Sequence, residues 1–96
     1  MKTNFGLEAL KAQVAADVEI ERQRQDKLWG KQRHDFNKWF SLVLEEVGEV
    51  AQALNRINFP EDAKDTDAED LYKEIIQTSA ILRAFAEHVK EREFNV

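Results

Sequence analysis

The chain has 96 residues and a mass of 11.2 kDa, so it forms one small domain that buries only about 60–65% of its unfolded surface and needs a partner. It carries 14 Lys and Arg against 19 Asp and Glu, and the charge of −5 argues against nucleic acid polymers and anionic membranes as partners. Cysteine is absent, which excludes disulfides, thiolate nucleophiles and Cys-based zinc sites.

The first predicted element is a helix from about Phe5 to Asp26. Four apolar residues fall at spacings of 3, 4 and 4, which is the helical period, and several alanines around them favour a helix. These apolar residues are Leu7, Leu10, Val14 and Val18. Leu28-Trp29-Gly30 then interrupts the pattern, because glycine takes a left-handed cap conformation at little cost.

The second predicted helix has the strongest periodicity. Asp35 is its expected N-cap, and Asn58-Phe59-Pro60 ends it because proline disfavours α geometry in the residue before it. We expect Trp39 and Phe40 to pack in the core. The apolar seam steps by 4, 3, 4, 3, 4 and 3 through Phe36, Phe40, Val43, Val47, Val50, Leu54 and Ile57.

A short polar loop over residues 61–65 leads to the third predicted helix. Thr66 and Glu69 have the spacing of a capping box, and the helix runs from there to about Glu91. Its seam passes through Leu71, Ile75, Thr78, Leu82, Phe85 and Val89. The pattern predicts a single all-α domain over residues 1–96, an antiparallel helical bundle whose wide apolar faces are completed by oligomerisation.

Acidic residues interrupt the apolar face of the second helix. Glu46 and Glu49 are three residues apart, so their carboxylates share one side of the helix beside the seam. Glu74 and Gln77 repeat this spacing on the third helix, and antiparallel packing would bring the two pairs face to face. Like charges so placed repel each other unless a cation binds between them. The oxygen-bearing side chains therefore predict a Mg²⁺ site.

A second interpretation of these glutamates stays open. Glutamates often cluster on a helix because that face is solvated, and such a face binds no ion. Gly48 favours the binding interpretation, because glycine costs about 1 kcal/mol against alanine in a helix interior. We expect it where a backbone or a ligand approaches the helix closely.

Glu45-Glu46-x-x-Glu49, followed after 24 residues by Glu74-x-x-Gln77, resembles the EExxE and ExxD motifs of the MazG-like, all-α nucleoside triphosphate pyrophosphohydrolases. This superfamily includes dimeric dUTPases and dCTP pyrophosphatases, and the resemblance covers roughly residues 21–89. It implies a helical homodimer or homotetramer that hydrolyses a (deoxy)nucleoside triphosphate to the monophosphate and pyrophosphate with Mg²⁺.

The resemblance also implies roles for individual residues. Glu46, Glu49 and Glu74 would be Mg²⁺ ligands, and Gln77, which stands where the family pattern has Asp, would occupy the fourth ligand position. Glu45 would bind a further metal or orient the attacking water. Glu45 and Glu49 are therefore the expected catalytic residues.

Substrate binding requires cations for the phosphates and a flat surface for the base. Residues 1–40 carry 8 basic and 6 acidic side chains, whereas residues 41–96 carry 6 and 13. We expect Trp29 to stack on the base, or else to fill the space between the first two helices. Lys31, Arg56 and Lys73 are the expected phosphate ligands. The basic residues around the break at Trp29 and Gly30 are Arg22, Arg24, Lys27, Lys31 and Arg33.

Other features of the sequence concern location and a rival function. No stretch approaches the roughly 18 apolar residues of a membrane span, and the first residues lead into charged sequence without the apolar core of a signal peptide. We therefore expect a soluble, cytoplasmic protein without a membrane partner.

The alternative to an enzyme is a non-catalytic helical module that binds a nucleotide or a protein. His34 and His88 have no partner at ligand spacing and receive no predicted role.

Overall fold

In the computed structural model, which describes residues 4–59 and 67–94, the chain forms three α-helices. They are α1 (Asn4–Trp29), α2 (Phe36–Asn58) and α3 (Asp67–Phe94). Helix accounts for 91% of the described residues and none of them lies in a strand, which confirms the all-α prediction. None of the three helices combines the length and the apolar character needed to cross a membrane.

α1 extends to Trp29, whereas the sequence pattern placed its end near Asp26. Gly30 ends the helix: its φ is +69°, and its N–H donates to the carbonyl oxygen of Asp26 at 2.8 Å. This is the left-handed cap that glycine favours. Trp29 is therefore the last helical residue and not part of the break.

The predicted limits of α2 agree with the structure. The carboxylate of Asp35 accepts the backbone N–H of Lys38 at 2.9 Å, which confirms the N-cap, and the helix ends at Asn58. α3 begins at Asp67 and continues to Phe94, past the predicted end near Glu91. Pro60, the loop over residues 61–65 and the Thr66 half of the capping box lie outside the described residues.

α3 is the central helix, and α1 and α2 pack on it from two sides. Among the described residues, no Cα of α1 lies within 8 Å of a Cα of α2. Trp39, near the start of α2, stacks on Phe85 in the second half of α3, so these two helices are antiparallel as predicted. Tyr72 donates to Asp17, and Arg22 pairs with Glu87, so polar contacts also join α1 to α3.

The core consists of two small clusters, both of which include residues of α3. Val18 of α1 packs on Ile76 and Ala80. Trp39 of α2 packs on Ile81 and Ala84, with half-buried apolar neighbours around them. These neighbours are Phe36, Leu42, Val43 and Phe85.

One hydrogen bond fixes the indole of Trp39, which is 0% exposed. Its Nε1–H donates to Nδ1 of His88 at 2.8 Å, and its ring stacks on Phe85 with centroids 5.2 Å apart. A buried indole N–H needs such an acceptor. His88, which received no role from the sequence, therefore has a structural one.

The apolar seams are only partly covered by the chain itself. Phe40 is 61% exposed, so the prediction that it packs in the core was wrong, whereas the prediction for Trp39 was right. Small residues of α2 and α3, Ala53 and Ala84 among them, are buried as well. The large seam residues that remain exposed are Phe40, Val47, Leu54 and Ile57 on α2 and Ile75 and Leu82 on α3.

Candidate metal centre and the adjoining cavity

Three glutamates of α2 and α3 converge on one point. Each of Glu46, Glu49 and Glu74 offers a carboxylate oxygen that lies within 4.8 Å of the other two, and all three residues are half-buried. The antiparallel packing of α2 on α3 produces this arrangement, because it places one turn of α2 opposite the turn that carries Glu74. The carboxylates are thus close enough to share one cation.

Burial and mutual repulsion disfavour the ionised form of two of these acids. Burial, followed by the charge of Glu49, raises the pKa of Glu46. Burial also raises the pKa of Glu74, and a hydrogen bond with Glu49 adds to the effect. One oxygen atom, Oε2, of each of Glu46 and Glu74 is buried without any hydrogen-bond donor.

These observations fit a hard divalent cation. Every ligand atom in the cluster is a carboxylate oxygen, the type of ligand that Mg²⁺ prefers. A buried acceptor without a donor costs about 1–3 kcal/mol, and a cation among the three carboxylates would remove this cost and the repulsion.

The remaining residues of the two motifs lie around this cluster. Gln77 is half-buried and follows Glu74 by one turn of α3, and its backbone carbonyl accepts a hydrogen bond from Gln25. Glu45 is exposed and lines a cavity beside Glu46. Apart from its two chain neighbours and the backbone of its own helix turns, no described atom lies within 4 Å of the position that a Cβ on Gly48 would take. The expected close approach of backbone to Gly48 is therefore absent within the described chain.

The cavity beside the acids has a volume of about 520 Å³. Its walls are the end of α1, the loop between α1 and α2, the first half of α2, and Ile81 of α3. Trp29, Lys31 and Arg33 line it on the loop side, and Glu45 and Glu46 line it on α2. Trp29 is 56% exposed, so it does not fill a space between α1 and α2. It stays available for stacking.

Among the predicted phosphate ligands, only Lys31 lines this cavity. Lys73 is exposed beside Glu74, and its charge contributes to lowering the pKa of Glu21. Arg56 is half-buried in the last turn of α2, about 10 Å along the helix axis from Glu49. Among the other basic residues near the break, Arg22 pairs with Asp26 and Glu87, and Arg24 pairs with Glu21.

α1 also contributes polar groups that the sequence motifs did not identify. Glu21 bonds Arg24 through both carboxylate oxygens at 2.7 Å, which lowers its pKa, and its charge helps to raise the pKa of Glu46. Gln25 is 1% exposed, and its Nε2 donates to Glu21 at 3.0 Å. The sequence did contain a signal, because the helical spacing of Val14 and Val18 continues through Glu21 and Gln25.

Comparisons of this chain with protein-family models, with curated proteins and with solved structures found no match.

Proposed function

We propose that this chain is a Mg²⁺-dependent nucleoside triphosphate pyrophosphohydrolase with a MazG-like helical fold. The observation that carries the proposal is the cluster of Glu46, Glu49 and Glu74, whose carboxylates converge on one point with two buried oxygens unpartnered. The cavity beside the cluster has acids on one wall and cations on another. A substrate with both phosphates and bound metal matches that distribution of charge.

The roles of the acids follow from their positions. Glu46, Glu49 and Glu74 would hold Mg²⁺, with Gln77 at the fourth position. When bound, the metal would neutralise charge on the triphosphate and polarise the α-phosphorus. Glu45 is exposed on the cavity wall, where its carboxylate can orient a water molecule and accept its proton.

The proposed reaction is hydrolysis between the α and β phosphates. The oxygen of the attacking water bonds to the α-phosphorus, and the bond from this phosphorus to the bridging oxygen breaks. Pyrophosphate leaves with the bridging oxygen and its electron pair, and the water gives up a proton to Glu45. Trp29 and Lys31 would contact the base and the phosphates from the loop side of the cavity.

A homodimer is part of the proposal. The accessible surface is 7273 Å², against about 5,700 Å² for a compact monomer of this mass. The excess of about 1,600 Å² per chain is roughly twice the 800 Å² that each partner contributes to a standard protein interface. Exposed apolar residues along α2, including Phe40, Val47 and Leu54, supply a surface for a second copy.

The direct test is pyrophosphate release from a panel of canonical and modified nucleoside triphosphates, with and without Mg²⁺. Glu49→Gln should lower the rate by about 100-fold or more, the scale at which loss of one transition-state contact acts. Glu69→Gln is the matched control, because Glu69 is exposed on α3 outside the cluster, and it should keep the wild-type rate.

Other outcomes separate the rival function. If Mg²⁺ raises the unfolding temperature but no triphosphate releases pyrophosphate, the chain is a non-catalytic binding module, because a ligand that binds only the native state stabilises it. If Glu49→Gln retains full activity with unchanged helical content, the assignment of the acids is wrong.

A further inference from the structure

The loop side of the cavity carries more positive charge than the chain itself neutralises. Lys31 and Arg33 come from the loop between α1 and α2, and Lys38 comes from the first turn of α2; all three line the cavity. The same wall of α2 continues through Leu42 to Glu45, at helical spacings of 4 and 3. Lys38 and Glu45 are thus about 10 Å apart along the helix axis, so the cavity has a cationic end and an acidic end.

One carboxylate serves two of these cations. Glu91 of α3 accepts from Nζ of Lys31 at 3.2 Å and from Nε of Arg33 at 3.0 Å. These contacts lower the pKa of Glu91, with Arg33 the larger cause. The side chain of Glu91 is 43% exposed, and exposed ion pairs are weak because solvent screens the charges. A ligand with more negative charge can therefore displace it at small cost.

The third cation makes no ion pair with any described residue. Lys38 uses its backbone N–H to bond Asp35, the N-cap of α2, and its ammonium group stays available to the cavity. The positive end of the helix dipole lies at the same end of the cavity. Each of these features favours a polyanion and none favours a nucleoside, which is uncharged.

We propose that Lys31, Arg33 and Lys38 bind the terminal phosphates of the substrate, the part released as inorganic pyrophosphate, and that Glu91 holds Lys31 and Arg33 until this ligand displaces it. This assignment rests on the proposed function, and it says which part of the substrate binds at each end of the cavity. Metal at the acidic end would hold the α-phosphate. The cations would then stabilise the charge that develops on the leaving pyrophosphate as the bond to the α-phosphorus breaks.

The test is calorimetric titration of the full chain with inorganic pyrophosphate and, separately, with a nucleoside monophosphate, in buffers with and without Mg²⁺. Arg33→Gln and Lys38→Gln should each weaken pyrophosphate binding by about tenfold, the loss expected for one charge-assisted hydrogen bond. Monophosphate binding should change by less than about twofold, since it does not use this end. Lys27→Gln, which removes the same charge in the last turn of α1 away from the cavity, is the matched control.

Glu91→Gln gives an effect of opposite sign. Pyrophosphate should bind severalfold more tightly, because Lys31 and Arg33 no longer have a competing carboxylate. Lys38 and Glu91 are exposed, so these substitutions should leave the unfolding temperature close to that of the wild type.

Three results would overturn the assignment of the cationic end. The first is that the wild-type chain does not bind pyrophosphate. The second is that Arg33→Gln and Lys38→Gln lower the affinities for pyrophosphate and for the monophosphate by the same factor. The third is that both variants bind pyrophosphate with unchanged affinity. Binding of pyrophosphate does not require turnover. If the predicted pattern of binding appears but no triphosphate is cleaved, the hydrolase proposal fails and the phosphate site stands.

Discussion

At the residue scale, the carboxylates of Glu46 and Glu74 are an unusual pair. Both have a raised pKa, and both have one oxygen that is buried without a donor. Folding alone would be better served by neutral side chains at these positions. Acidic side chains that destabilise the folded chain in this way are expected at sites that bind a ligand.

The substitution Glu74→Gln, studied in the absence of metal, tests whether the ionised carboxylate of Glu74 lowers the stability of the folded chain. Because folding raises the pKa of Glu74 from 4.5, the folded chain holds this proton more tightly than the unfolded chain. The free energy of unfolding therefore falls as the pH rises from 4.5 through the raised pKa. A glutamine does not titrate, so Glu74→Gln should be more stable than the wild type near neutral pH, by about 1 kcal/mol.

Urea unfolding with a chelator present, near neutral pH and near pH 4.5, gives the comparison. The difference should be largest near neutral pH and should shrink at the lower pH, because protonation of Glu74 is favoured there in the folded chain. Glu69→Gln, an exposed change on the same helix, should have little effect. A loss of stability in Glu74→Gln near neutral pH would mean that Glu74 has a supporting role in the fold.

The positions of the acids were accessible from the sequence, but those of their partners were not. The spacing of Glu46 and Glu49, together with antiparallel packing against Glu74, correctly predicted that the three would meet. Glu91 could not be identified in this way, because its contact with Arg33 depends on the path of the loop between two helices. A loop path has no periodicity from which it could be predicted.

At the scale of the helices, the sequence predicted the ends better than the faces. Asp35 was correctly identified as the cap of α2 because capping depends on neighbours within one turn. The apolar seam correctly identified the apolar side of α2, but only some of its residues, such as Phe36 and Val43, pack against α3, and others stay exposed. The buried residues of these two helices include Ala53 and Ala84, which a pattern of large residues does not emphasise.

Two glycines should respond to substitution in opposite directions. Gly48 lies in the interior of α2 with open space where a Cβ would be, so Gly48→Ala should raise the free energy of unfolding by about 1 kcal/mol. Gly30 has a φ of +69°, so Gly30→Ala should lower it by about 1–2 kcal/mol. Urea unfolding of both variants measures the two effects. A loss of stability in Gly48→Ala would indicate a close contact over α2, such as one made by a second copy.

At the scale of the whole molecule, the chain is more extended than its length requires. Its radius of gyration is 15.9 Å, against about 12.5 Å for a compact domain of 96 residues. The three helices form a layer with α3 in the middle, so the outer faces of α1 and α2 have no covering element among the described residues. The prediction of a bundle was confirmed, and its completion by a second copy stays a prediction.

The dimer can be tested by sedimentation equilibrium. Leu54 is 44% exposed on α2, so Leu54→Lys should fold but should weaken self-association at least tenfold, because a charged side chain would be placed in the interface. Leu10→Lys is the control, since Leu10 is 51% exposed on α1. A monomeric wild-type chain, or equal effects of the two variants, would contradict a dimer formed through α2.

The lack of contact between α1 and α2 has a consequence for how the molecule opens. Among the described residues, the backbone of α1 approaches that of α3 but not that of α2, so α1 can detach as a unit while the hairpin of α2 and α3 stays intact. The three clustered carboxylates all belong to that hairpin, whereas Trp29, Lys31 and Arg33 belong to α1 and its loop. Partial unfolding of α1 would therefore open one wall of the cavity and leave the acids assembled.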